Sequence, residues 1–289
     1  MLIHKKNFNI EQIADSGQCF RMNQLAEKHY SLIAFGRYLE LIQRGEDLVE
    51  ISCDEEEFAE LWQDYFDLSY DYTQLIDTLL AGEDPFLRSA AAFGKGIRIL
   101  KQEFFEMMIS FIISQNKNIP AIKNCVEALC HKYGTPIRSA FDHNTIYYAF
   151  PTPSQLAQAS KEELRELKVG YRDEYIIRAA QAVAEGQLDV NCIHSYSYKE
   201  AFDALKQIHG IGDKVANCIC LYGLHHIQVF PIDVWIKRIL DEVYQNEFNL
   251  KLYEGNAGIV QQYMFYFMRN QKENQNEKTA KEGMKSKKK

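Results

Sequence analysis

At 289 residues, with 46% hydrophobic side chains and 17 each of Tyr and Phe, the chain has enough length for two domains and enough apolar surface for a sizeable core. No apolar run approaches a bilayer span and the start, MLIHKKNFNIEQ, lacks a signal core, so a soluble cytoplasmic protein without a membrane partner is predicted (nucleoid-associated if bacterial). The formal charge of −7 does not exclude nucleic acid, because residues 46–84 hold 14 Asp and Glu with no Lys or Arg, residues 271–289 carry +4, and the remainder carries +3.

The first third reads as strands. HYSLIAF, RYLELIQR and DLVEISC are short β-prone runs, separated by turn signals at Gly36 and Gly45-Glu46-Asp47. The acidic EEEFAELWQDYFDL that follows opens with helical periodicity. From about Asp84 the texture becomes helical. EFFEMMISFIISQ is apolar enough for a buried helix, and IPAIKNCVEALCHKYG has Pro120 near its start and Gly134 at its end. SKEELRELK opens with a Ser160–Glu163 capping pattern. YRDEYIIRAAQAVAEG, SYKEAFDALKQI, DKVANCICLYGL, PIDVWIKRILDEVY and NAGIVQQYMFYFMRN complete the helical set. The predicted class is α+β. An N-terminal antiparallel β-sheet domain (1–84) precedes a mostly α-helical body (85–270), and 271–289 form a disordered Lys-rich tail.

The seven cysteines (Cys19, Cys53, Cys125, Cys130, Cys192, Cys218, Cys220) include no CxxC pair, which disfavours a zinc ribbon. None follows Cys220, which excludes a cysteine-held iron–sulfur cluster in the C-terminal third. Reduced, mostly buried thiols are expected.

LKQIHGIGDKVANCICL at 205–221 carries the strongest local signal. Two helices flank Gly210-Ile211-Gly212, and free N–H groups at the start of the second could hold a DNA phosphate. The pattern suits an ordinary helical hairpin equally well. Lys214, in the first turn of the second helix, sits where the helix dipole disfavours positive charge. It is either a solvated or phosphate-reaching cation, or an amine kept neutral and able to attack carbon. Asp233, after Pro231, is a natural N-cap; a cap would also fix its carboxylate.

These residues resemble the helix-hairpin-helix DNA glycosylases, and most of all the 8-oxoguanine DNA glycosylases. GQCFR at 17–21, FGKGIRIL at 93–100, MISFIISQNKNI at 108–119, LKVGYRDEYI at 167–176 and AGIVQQYMF at 257–265 extend the likeness over most of residues 15–270. The resemblance implies a bifunctional glycosylase and abasic-site lyase acting on double-stranded DNA that contains 8-oxoguanine, with its active site in a cleft between helical subdomains. It implies Lys214 as the nucleophile on C1′ and Asp233 as the stabiliser of the developing sugar cation. It implies that the Gly17 carbonyl reads the lesion at N7, that Phe265 and Cys218 sandwich the flipped base, and that Gln261 bonds its Watson–Crick edge. Asn116 is implied to fill the vacated duplex position, Tyr171 and Arg172 to wedge beside the orphaned base, and Gly210, Gly212 and Val215 to hold phosphate. From residues alone, Gly17 is a turn glycine, Phe265 and Cys218 are core, and Asn116 is a helix C-cap. The chemistry needs neither metal nor cofactor, since the amine is the nucleophile, and a monomer is expected.

Three departures stand out. Ala121 occupies the position of an Arg that helps animal members read cytosine, Trp235 occupies that of a frequent His, and Asn217 replaces a common acid. Two other readings stay open: a glycosylase for another damaged base, and a helix-hairpin-helix module that binds DNA without cutting it.

Overall fold

The structure is a computed structural model that describes residues 1–138 and 145–286, with side chains as far as Lys272. Five antiparallel strands form the N-terminal sheet: β1 (Leu2–His4), β2 (Met22–Ala26), β3 (His29–Ala34), β4 (Arg37–Gln43) and β5 (Leu48–Ile51), in the order β1-β5-β4-β3-β2. The alternation in β4 turns Leu39 and Leu41 inward, and Leu39 lies opposite Leu32 of β3. Val49 and Ile51 of β5 join the same face, which packs on Trp62, Tyr65 and Phe66 of the acidic helical segment. The sheet was predicted from β3, β4 and β5. The outer strands β1 and β2 lacked a signal because one is three residues long and the other, Met-Asn-Gln-Leu-Ala, is mostly polar.

The second core is helical. Its centre is the helix Phe104–Ser114, in which every residue from Phe104 to Ile113 is buried, as an all-round apolar sequence requires. The helix Asp213–Gly223 lies against it. A Cβ on Gly223 would stand 3.2 Å from the Met107 Cβ, so the glycine sets how closely the two helices approach. A two-stranded ribbon, Pro136–Arg138 with Ile146–Tyr148, was not predicted; its connecting residues lie outside those described.

Two buried polar groups lock the two cores together. Arg98 stacks on the Tyr72 ring at 4.1 Å and donates to the carbonyls of Asp67 and Tyr70, each at 2.6 Å. Gln18 donates to the Arg98 carbonyl and accepts from the Leu100 amide, both at 2.9 Å. The GQCFR and FGKGIRIL segments thus form one hydrogen-bonded frame around residue 17.

Burial also pushes the Glu106 carboxyl up to about 8, against the opposing pull of the Arg21 guanidinium. The unfolded chain ionises this group in the ordinary carboxylate range, so it releases the proton before the native state does. Stability therefore drains as pH rises from there through about 8. Glu106→Gln is neutral at every pH. It should stabilise the fold above pH 8 by on the order of a few kcal/mol and leave it unaltered near pH 4, a difference that thermal melts at the two pH values would register.

The last helix, Ala257–Ser286, runs through the stretch expected to lack regular structure. Gln, Glu, Lys and Ala are good helix formers, and the packed segment 257–270 supplies the nucleus, so each added residue costs little. Its side chains beyond Lys272 lie outside those described. No helix among the described residues is long and apolar enough to cross a membrane.

Candidate active site

The helix Tyr198–Lys206 opens with a capping box, Ser197 to Glu200, and gives way to the Gly210-Ile211-Gly212 turn. Gly210 has φ +93°, and a Cβ there would collide with Tyr175 at 2.3 Å, so this glycine is required by packing. Its carbonyl accepts from Gln115 Nε2 at 3.2 Å. Gly212 differs: it is the extended N-cap of Asp213–Gly223, brings no capping side chain, and has nothing within 4 Å of a would-be Cβ. The first-turn amides of that helix therefore open on empty space suited to an anion. Val215 is 3% exposed, so only its backbone amide can serve there.

Lys214 is half-buried in that first turn. Its Nζ donates to Ser114 Oγ at 3.3 Å and stands 5.4 Å above the Phe111 ring. Ser114 in turn donates to the Phe111 carbonyl at 2.8 Å, which directs its lone pairs at the amine. One turn along, Cys218 is buried; burial pushes its thiol up and the Lys214 ammonium pulls the other way. Asp233 caps the helix Val234–Glu242, its Oδ1 accepting from the Trp235 and Ile236 amides at 3.0 and 2.9 Å. Burial raises the Asp233 carboxyl above the usual range, opposed by the Ile236 amide and the charge of Lys214. Two helix N-termini thus present an amine and a carboxylate to one space.

That space is a cleft of about 1130 Å³, lined also by Gly17, Asn116, Gly212, Val215, Cys218, Gln261 and Phe265. Gly17 has φ +77°, and a Cβ there would press to 3.0 Å on Ile119 Cδ1 and 3.2 Å on Phe265 Cε1. Gln261 lines the cleft, is 4% exposed, and its buried Oε1 has no hydrogen-bond partner in the protein. Asn116 adopts φ +50°, which Asn tolerates, and donates to the Tyr171 hydroxyl at 3.1 Å.

Arg172 does not join this group. The turn Gly170–Arg172 points it inward, where it is 4% exposed, donates to the Val169 carbonyl at 2.9 Å and stacks under Tyr171 at 4.4 Å. In this conformation its guanidinium lies under the Tyr171 ring. Ser114, Lys123 and Arg269 line the cleft without having been singled out in the sequence. Lys123 anchors on the Met22 carbonyl at 2.7 Å. No residue of the acidic stretch 46–84 lines the cleft, whereas Lys117, Lys123, Lys214, Lys237 and Arg269 do, against Asp15, Asp213 and Asp233. The local balance is positive where the global one is negative. Among the described residues no cluster of three or more His, Cys, Asp and Glu could hold a metal ion.

Residues 1–108 match the family model described as the N-terminal domain of 8-oxoguanine DNA glycosylase, and residues 109–253 match that of the HhH-GPD superfamily of base excision DNA repair proteins. The chain is 30% identical over 273 residues to the N-glycosylase/DNA lyase of Saccharomyces cerevisiae, a match spanning 85% of this chain and 70% of that protein. It superposes on the Clostridium acetobutylicum 8-oxoguanine glycosylase/lyase, solved with double-stranded DNA containing cytosine opposite 8-oxoguanine. The TM-score is 0.86 and the identity 34%, over 94% of this chain and 98% of that one. A structure of MBOgg1 with a low-affinity DNA ligand gives a TM-score of 0.87 and 36% identity, over 93% of this chain and 95% of that one.

Proposed function

The chain belongs to the 8-oxoguanine DNA glycosylases of the HhH-GPD base excision repair superfamily, and on that premise we propose that it removes 8-oxoguanine from duplex DNA and then cuts the strand at the vacated site. The observation that carries this reading is the meeting of Lys214, Asp233, Gly17, Gln261 and Phe265 in one cleft. The damaged nucleotide swings out of the stack into that cleft. Having given up a proton, the Lys214 amine bonds to C1′ as the glycosidic electrons leave with the base, which takes up a proton in turn. Asp233, ionised, faces the cationic character that develops on the sugar. Ring opening gives a Schiff base, whose loss of a C2′ proton expels the 3′ phosphate.

Guanine N7 accepts a hydrogen bond, whereas in 8-oxoguanine it carries a proton. The Gly17 carbonyl would accept from that proton, with Phe265 and Cys218 on the two faces of the base and the orphan Gln261 Oε1 on its Watson–Crick edge. Asn116, braced by Tyr171, would occupy the gap in the duplex, and the Gly212–Val215 amides would hold phosphate. All these groups lie on one chain, so a monomer suffices.

With Ala at 121, that position supplies no guanidinium to read the opposite base. A duplex panel tests the whole reading: 8-oxoguanine opposite C, A, G and T, alongside alkylated purines and oxidised pyrimidines. We expect 8-oxoguanine to be excised opposite all four bases at near-equal rates. Excision of the other lesions but not of 8-oxoguanine would overturn the function. A strong preference for C would overturn the role given to Ala121.

A further inference from the structure

The loop Asp15-Ser16-Gly17 is fastened to one face of the last helix at three successive residues. Asp15 is ion-paired to Arg269. The Ser16 carbonyl accepts from Gln262 Nε2 at 2.7 Å, and Gln262 Oε1 accepts in turn from the Tyr222 hydroxyl. Gly17 lies under the Phe265 ring, close enough that a Cβ would come to 3.2 Å of it. Residues 262, 265 and 269 are spaced three and four apart, so they form a single stripe. The Arg269 guanidinium also stands 5.8 Å from the centre of the Phe265 ring.

Two of these features have no reason in the fold alone. Asp15 ends the helix Ile10–Asp15, where the dipole disfavours a carboxylate. Arg269 is 4% exposed yet lines the cleft, so its charge is held out of bulk water beside the space a base would enter. Pairing the two relieves both costs and joins the loop that bears the Gly17 carbonyl to the helix that bears Gln261 and Phe265.

We infer that Arg269 is a positioning residue for lesion recognition: held by Asp15, it fixes the Gly17 carbonyl relative to the Phe265 ring and the Gln261 amide. It touches no reacting atom. Its effect falls on the step that needs a bound base and spares the step that does not. This rests on the base-excision reading above, and the test separates the two.

Two substrates serve: a duplex with 8-oxoguanine and a duplex with a preformed abasic site. Arg269→Met keeps the stem and removes the charge, and Asp15→Asn probes the same pair from its half-exposed side. Each should lower kcat/KM for 8-oxoguanine by about 10- to 100-fold, the range expected when recognition groups shift by up to 1 Å. Cleavage of the abasic duplex should stay at the wild-type rate. The exchanged pair, Asp15→Arg with Arg269→Asp, should recover part of the loss. Unchanged 8-oxoguanine excision in both single variants, or an equal fall on both substrates, would overturn the inference. Wild type that excises no 8-oxoguanine would instead overturn the function it rests on.

Discussion

Asp233→Asn should excise 8-oxoguanine about 100- to 1000-fold more slowly than wild type while its melting temperature barely moves. Asn caps helices as well as Asp does, so the bonds to the Trp235 and Ile236 amides survive in the variant. What it loses is charge. The carboxylate faces the cleft from a partly desolvated position, where a fixed negative charge acts on a sugar cation with little screening. The same burial raises its proton affinity. Excision by the wild type should therefore fall on acidification at a pH above that of an ordinary aspartate, and the acid limb should be missing from the residual rate of Asp233→Asn. Single-turnover rates across pH, with melts of both proteins, check the two halves of this expectation.

Lys214→Gln should abolish strand cleavage. Gln is one atom shorter than Lys but is a good helix former and keeps a polar N–H on the side toward Ser114 Oγ, so the hairpin and the cleft are retained. An amide nitrogen cannot form a Schiff base, and removal of a covalent nucleophile costs several orders of magnitude. On a preformed abasic duplex the variant should give no cleavage above background. Duplex affinity should persist, because the Gly212–Val215 amides and the cleft lysines Lys117 and Lys237 remain. A binding titration beside the cleavage assay distinguishes loss of chemistry from loss of DNA.

The helical body was legible because its signals are local. Period-3.6 apolar runs, the Ser160 cap and the hairpin glycines each act within a turn or two of chain. Lys214 and Asp233 were legible as misfit charge and N-cap, and their roles came through the family resemblance. The orientation of Arg172 was not legible: a three-residue turn decides whether the side chain points out or folds back on Val169 and Tyr171, and no residue pattern distinguishes the two. The edge strands were missed because β1 is only three residues long and β2 is mostly polar, so their register comes from their partners. The pairings that shape the base pocket join residues far apart in sequence. Asp15 meets Arg269, Gln262 meets Ser16, and Gln18 binds the 98–100 segment, and no local pattern announces such contacts. Gly17 illustrates the gap well. In sequence it is a turn glycine, and in the fold it is the point where the frame, the last helix and the cleft converge.

The central claim is that Lys214 becomes covalently joined to the deoxyribose of the damaged nucleotide. Borohydride reduction of the wild-type enzyme during turnover of an 8-oxoguanine duplex, followed by peptide mapping, tests it most directly. A DNA adduct on the peptide containing Lys214, absent from Lys214→Gln, is the predicted result. An adduct on another residue, or excision without any trapped adduct, would contradict it.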